Sequence, residues 1–398
     1  MKFKKMLLFA VVLLLLSGCW NRRELNTIAI QVGLGIDKEG DQYVVTSQIV
    51  NPGQIAMLMS KGDKTPVMTY QEKGHTIIEA IRRMTTAVPR RIYSSHLRIL
   101  VIGEELAKEG IGEVLDLLSR DHEMRTDFYI TVAKDAKAGD ILKVLTALED
   151  IPANQLFNSL ELSDKQWAPT ISVTLDQLLS DLSSEGIEVK LTGISVEGNQ
   201  QVGETKANYE QIDPEAKLKF KGIALFHQDR LIGWLDEQQS RALHYIIGKV
   251  HRTIEEISCK NDGKISIDIF SAKSQLKTKM HKGNPVGEVH IEAQGNVADV
   301  QCKHLTITNT KTIRKIEKKT EEKIKQEVEK VLSNVQQNYR VDAFGFGKSL
   351  YRDDYKNWKK IKKHWKETFT ELPIKTTVDV KIRRTGTINN PPLHKMED

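Results

Sequence analysis

One apolar run limits what this chain can do. Met6–Leu16 places eleven apolar residues in a row. A helix needs about 20 residues to cross the ~30 Å hydrocarbon core of a bilayer, so this run is too short to span. No later stretch approaches 18 apolar residues, so the rest of the chain must bury its own cores in water. Its 398 residues are enough for roughly two or three domains. Charged residues make up 28% and hydrophobic residues 39%, the balance of a soluble globular protein.

The run sits where an export signal would sit. Lys2, Lys4 and Lys5 supply the cationic n-region, and Met6–Leu16 the apolar h-region. An ordinary signal ends in an A-x-A-like site. This one ends Leu16-Ser17-Gly18-Cys19 and resembles the lipobox of bacterial lipoproteins. That resemblance implies removal of residues 1–18 and lipidation of Cys19. One acyl chain anchors marginally and two or more anchor stably, at about 0.8 kcal/mol per buried CH₂. The expected product is therefore anchored without spanning.

Beyond Cys19, strand-period and helix-period segments alternate. Thr27–Ile36 and Gln42–Val50 read as a strand pair around Lys38-Glu39-Gly40-Asp41, and Asn51-Pro52-Gly53 as a break. His75–Ala87 carries a helical stripe that stops at Pro89. A strand at His96–Ile102, a helix at Ile111–Leu118, a strand at Asp127–Ala133 and a helix at Gly139–Leu148 follow. Glu188–Val196 is again strand-like. Residues 199–213 are polar and unpatterned, the expected linker between an N-terminal region, 19–198, which could divide into two subdomains, and a C-terminal domain, 214–386. In the second half, Lys217–Phe226 and Arg230–Leu235 read as strands and residues 236–250 as a helix. Strands flank the Asn261-Asp262-Gly263 turn, and another covers Gly287–Ala293. A long helix is expected over 311–338 and a second over 348–369, with Tyr351, Tyr355, Trp358, Ile361 and Trp365 on one side. Ile374–Ile382 alternates as a half-buried strand, and 387–398 reads as a flexible tail. The expected class is α+β, multi-domain, with mixed sheets packed by helices and no Rossmann or TIM signature.

Catalytic and cofactor motifs are missing from this pattern. There is no HExxH, P-loop or GxSxG. Gly33-Leu34-Gly35 opens like a dinucleotide loop, but Lys38 stands where the third glycine belongs. Gly345-Phe346-Gly347 fails in the same way, with Leu350 there. Both read as backbone bends. No cofactor, metal site or catalytic residue is expected. His244 and His251 could share a helix face but read as ordinary helix residues. Cys259 and Cys302 could pair in an exported protein, yet two buried free thiols are the favoured reading.

The residues that could touch a partner or a membrane lie elsewhere. Residues 311–384 hold 21 Lys and Arg against 11 Asp and Glu, a net of +10 in a chain whose total is +6. Lys359, Lys360, Lys362 and Lys363 cluster beside Trp358 and Trp365. A solvated helix face is the plain explanation. Docking to anionic headgroups or to an acidic partner face is the sharper one, at about 1 kcal/mol per cation near the surface. Asp229 could contact a partner or bond its own turn, and Trp234, Trp358 and Trp365 could be core or binding anchors. Nucleic acid is excluded by the export signal.

These stretches resemble one family. "GCWNRRELNTIAIQVGLGID" (Gly18–Asp37), "SSHLRILVIGEELAKEGI" (Ser94–Ile111) and "LDLLSRDHEMR" (Leu115–Arg125) are similar to the spore germinant-receptor C subunits, the Ger(x)C lipoproteins. So are "FKGIALFHQDRLIGWLDEQQSRAL" (Phe220–Leu243) and the block Asp342–Ile388. There is one departure. Gln238 and Gln239 stand where members often carry a glutamate ahead of Ser240. The resemblance implies a non-enzymatic, lipid-anchored subunit on the outer face of the spore inner membrane. It implies integral membrane A and B subunits as partners and no small-molecule ligand on this subunit. A lipid-anchored solute-binding protein of a transporter is the competing class, with residues 199–213 as a hinge. An exported hydrolase has no nucleophile or metal motif to support it.

Overall fold

The computed structural model describes residues 3–4, 27–51, 65–259, 263–302, 307 and 309–384. The apolar run Met6–Leu16, Cys19, Pro52-Gly53, Asn261-Asp262 and the tail lie outside the described residues.

The first sheet is mixed. Its strands are β1 (Ile28–Glu39), β2 (Gln42–Val50), β3 (Val67–Gly74), β4 (Arg91–Tyr93), β5 (Ile99–Ile102), β6 (Tyr129–Ala133), β7 (Lys190–Gly198), β8 (Ala216–His227) and β9 (Arg230–Leu235). They run in the order β3-β2-β1-β5-β6-β7-β8-β9, with β4 paired to the first three residues of β1. The centre, β1-β5-β6-β7, is parallel, and the flanks are antiparallel. Central strands are buried on both faces, so β5 is the unbroken run Ile-Leu-Val-Ile. Helices cover both faces: α1 (Ile77–Arg83), α2 (Glu104–Glu109), α3 (Gly112–Arg120), α4 (Ala138–Lys143), α5 (Pro152–Gln166) and α6 (Leu175–Ser183). Leu100 and Ile102 pack with α1, α2, α3 and α6, while Ile99 and Val101 pack with α4 and α5.

Residues 199–213 are tied down. They hold α7 (Gln200–Gly203) and a short 3-10 turn, and buried Asn208 bonds the carbonyls of Leu145 (2.8 Å) and Ala216 (3.0 Å). β8 then returns antiparallel along β7. The first sheet therefore runs across the boundary expected at residue 214, because its edge hydrogen bonds are completed by β8 and β9.

The second sheet is β10 (Thr253–Ser258), β11 (Lys264–His281), β12 (Asn284–Val300) and β13 (Ile374–Arg384), in that order. β11 and β12 meet at Lys282-Gly283, both at positive φ (50° and 87°), a tight two-residue hairpin that the sequence reading did not single out. β13 joins parallel to β12. α8 (Glu237–Ile247) and α9 (Thr310–Asn334) pack on this sheet. Ile316, Thr320, Ile324, Val328 and Val331 form the buried stripe of α9. α9 also closes the sheet edge: Glu321 accepts from Val380 N (3.1 Å) and Glu317 from Ile382 N (2.9 Å).

Two expectations are corrected here. Cys259 and Cys302 form a disulfide, with Cα atoms 6.1 Å apart. They follow β10 and β12, which flank the start of β11, so the register brings them together. The helix expected over 348–369 is three helices: α10 (Phe346–Asp353), α11 (Tyr355–Ile361) and α12 (Trp365–Thr370). Asp354 leaves helical geometry (φ −147°, ψ 69°) and its carboxylate accepts from Asn357 N, ending one helix and starting the next. The break leaves Tyr351 and Tyr355 exposed, edge-to-face, while Trp358 and Trp365 turn inward.

Candidate functional site

A cleft of about 660 Å³ opens between the first sheet and the C-terminal helical segment. Its walls are the lead-in to β7 (Glu185–Val189), the β8–β9 turn (His227–Asp229), the segment Arg340–Asp342, and the run from Trp358 to Lys366. Backbone contact holds the halves together. Lys348 N donates to Gly186 O (2.8 Å) and Glu188 N to Asp342 O (3.0 Å). Gly186 sits at φ +76°, and a Cβ there would lie 2.3 Å from the Gly347 carbonyl carbon. A Cβ on Gly347 would meet Gly186 Cα at 2.7 Å and Trp365 Nε1 at 2.6 Å. Only glycine permits both the dihedral and the approach.

Asp342 organises the floor. Its carboxylate accepts from the backbone N–H groups of Phe344 (3.2 Å), Gly345 (2.8 Å), Phe346 (3.2 Å) and Gly347 (2.7 Å), and from Trp365 Nε1 (3.1 Å). These are the orphan donors at the start of α10, so one carboxylate caps the helix and fixes Trp365. Burial pushes its carboxyl pKa up, and the backbone bonds oppose that shift. Trp358 lies edge-to-face on Trp365, with centroids 5.3 Å apart, and donates to Glu185. Lys362 also pairs with Glu185 (2.8 Å), and Lys362 and Trp358 hold that carboxyl below its usual range. His227 Nδ1 (2.9 Å) and Gln228 N (2.8 Å) meet the two oxygens of Glu188. Arg340, Lys363 and Lys366 line the rim, exposed, without a carboxylate partner among the described residues.

The structure brings Asp229, Trp358, Lys362, Lys363 and Trp365 together on this cleft and leaves Lys359 and Lys360 outside it. Three of these residues have defined surroundings. Trp358 (2% exposed) and Trp365 (8% exposed) are core residues, so neither ring is presented as an anchor. Asp229 does not serve its own turn. Its carboxylate accepts from Gly112 N (3.2 Å) and its carbonyl from Ile111 N (2.9 Å), capping α3 from 117 residues away. Asp37 does the same for α4 through Ala138 N (2.8 Å) and Gly139 N (2.9 Å). Glu185, Glu188, Arg340 and Asp342 were not singled out in the sequence. Asp342, three residues ahead of the glycine that precedes α10, is the one with a local signal.

The glutamine departure also has a structural setting. Gln239 completes a capping box with Asp236 on α8, and Gln238 donates to Glu327 (2.9 Å). Glu327 and fully buried Glu255 share Arg241 and Lys323 between β10, α8 and α9, and burial raises the carboxyl pKa of Glu255. His244 is buried, with Nδ1 on the Ala168 carbonyl, and burial lowers its pKa; His251 is exposed beyond α8. Among the described residues no group of three or more His, Cys, Asp or Glu could hold a metal ion. None of the described helices is long and apolar enough to cross a membrane.

Two mixed sheets with helical covers and polar clefts along their seam define a multi-domain α+β protein. Comparison with known proteins gives the family. The family described as "Spore germination protein N-terminal domain" matches residues 21–196, and "Spore germination B3/GerAC like, C-terminal" matches 221–386. Spore germination protein KC of Bacillus subtilis (strain 168) is 32% identical over 403 residues, covering 98% of each chain. Spore germination protein A3 of the same organism is 25% identical over 395 residues, covering 97% of this chain and 99% of that one. The crystal structure of the GerBC protein matches with a TM-score of 0.53 at 19% identity, covering 88% of this chain and 96% of that one. The chain belongs to the Ger(x)C family of spore germination proteins.

Proposed function

We propose that this protein is the lipid-anchored, non-catalytic C subunit of a germinant receptor, acting in nutrient-triggered spore germination. The observation that carries this reading is the similarity to Spore germination protein KC along 98% of both chains. The export run ending at Cys19 supports anchoring by lipid on the outer face of the spore inner membrane. Integral membrane A and B subunits are the partners in this reading. The cleft rimmed by Arg340, Lys363 and Lys366 is the face offered to an acidic surface of one of them. Arg340, Lys363 and Lys366 are exposed and have no carboxylate partner among the described residues, so they attract at a distance and weaken with salt.

The test is a pull-down of the tagged lipoprotein from spore inner membrane. Recovery of two multi-spanning partners is expected, and recovery of an ATP-driven permease overturns the reading in favour of a transporter's solute-binding protein. Cys19→Ala should leave the folded domains intact, strip the protein from the membrane and impair nutrient-triggered germination. A variant that stays membrane-bound and germinates normally would remove the anchor from the proposal.

A further inference from the structure

A second and larger cleft, about 960 Å³, lies on the other side of the segment 185–190. It is bounded by α6, the end of α8, the middle of β11 and the start of α10. At its floor is Lys190, the first residue of β7, only 5% exposed. An ammonium has three donors. Lys190 Nζ uses one, to the carbonyl of Glu188 (2.9 Å), and has no carboxylate within ion-pairing distance among the described residues. Ser274, on the β11 wall, has a buried hydroxyl without a hydrogen-bond partner. Buried donors left unmade are expensive, and both residues line the same space.

The surroundings narrow what could fill it. The helix N-termini on this cleft are already filled, α10 by Asp342 and α6 by the Thr174–Gln177 capping box. The neighbouring acids are also engaged: Asp164 by Ser172, Asp176 by Thr174 and Asp181 by Lys348 (3.7 Å). That leaves one buried cation, so the floor suits one negative charge. The other cations of the lining, Lys249, Lys277, Lys348 and Arg352, stand nearer solvent, on the same walls as Asp176 and Asp181. Apolar side chains form one part of the wall: Val173, Ile187, Ile246, Leu276 and Phe344. A concave site of a few hundred to about 1,000 Å³ in which an apolar patch adjoins a fixed polar group can hold and orient a small molecule.

We propose that this cleft binds a small organic monocarboxylate, its carboxylate on Lys190 and its apolar body against Ile187, Ile246 and Leu276. Family resemblance implies no small ligand on this subunit, so the proposal stands apart from the receptor reading and can fail without it. Burial lowers the Lys190 pKa, and a bound carboxylate would restore the charged form.

The test uses the full chain in mild detergent at fixed ionic strength, with sodium butyrate as probe and ligand-observed NMR as readout. Saturable butyrate binding is expected, with none for butylammonium or inorganic phosphate. Lys190→Met should weaken binding by about tenfold or more, the loss of a charged hydrogen bond. Leu276→Trp fills the apolar wall without touching Lys190 and should also weaken binding, so the test survives if Lys190→Met fails to fold. No butyrate binding to the wild type, binding unchanged in both variants, or phosphate bound as well as butyrate would each overturn the proposal. Loss in Lys190→Met with Leu276→Trp unaffected would overturn the apolar half and leave a bare anion site.

Discussion

The two clefts flank one segment, residues 185–190, yet they differ in how deep their positive charge lies. One keeps Arg340, Lys363 and Lys366 on an exposed rim. The other has exposed Lys249, Lys277 and Arg352 as well, and in addition buries Lys190 at its floor. A rim cation stays hydrated, so it costs the fold little and acts over about a Debye length. A buried cation is desolvated, so it destabilises the fold until something pairs with it. The rim suits a macromolecular face met in passing, and the floor suits a small ligand held in place. What keeps the two apart is the contact of Gly186 with Gly347 and the Asp342 cap beneath it.

The comparison can be broken most forcefully at its shared support. Asp342→Ala removes the acceptor for four backbone N–H groups and Trp365. It should destabilise the protein on the order of 3–5 kcal/mol in denaturant unfolding and disable both clefts together. Gly186→Ala forces a side chain into a left-handed conformation against backbone, and roughly 2–4 kcal/mol of lost stability is expected by the same measurement. Titration then separates the clefts. Burial depresses the Lys190 pKa, so between that value and the unfolded value near ~10.4 the unfolded state binds more protons. Stability should therefore rise with pH across that window, and Lys190→Met should flatten the rise in unfolding curves measured at successive pH values. The smallest effect on the fold belongs to the rim. The double variant Lys363→Glu, Lys366→Glu should leave the unfolding midpoint unchanged while lowering recovery of membrane partners, most visibly at low salt. Unchanged recovery would move the partner-facing surface elsewhere.

Much of the fold was legible because the signals were local. β1 and β2 around Gly40, the stripe of α9 and the alternation of β13 all follow from periods within one element. The failures have a common cause. The stripe from Tyr351 to Trp365 has helical spacing, but Asp354 prefers to cap, so one expected helix became three. Asp229 sits in a turn where a local Asx bond was available, yet sheet order places α3 within reach and its carboxylate goes there. Residues 199–213 carry no period, and it takes tertiary bonds such as Asn208 to Leu145 to show that they are packed. The lysine cluster was found by charge, but which lysines line the cleft depends on where the helix breaks.

By itself the sequence determined the class of elements, the short apolar run ahead of Cys19, the basic C-terminal third and the family, because each is written in neighbouring residues or in motifs that follow one another in order. Tertiary structure alone decided that Cys259 meets Cys302, that Asp37 and Asp229 cap distant helices, and that Lys190 and Asp342 lie on opposite sides of one strand lead-in. These are contacts between residues tens to more than a hundred positions apart. Their geometry is set by strand order and register, which no local pattern of charge or hydrophobicity encodes.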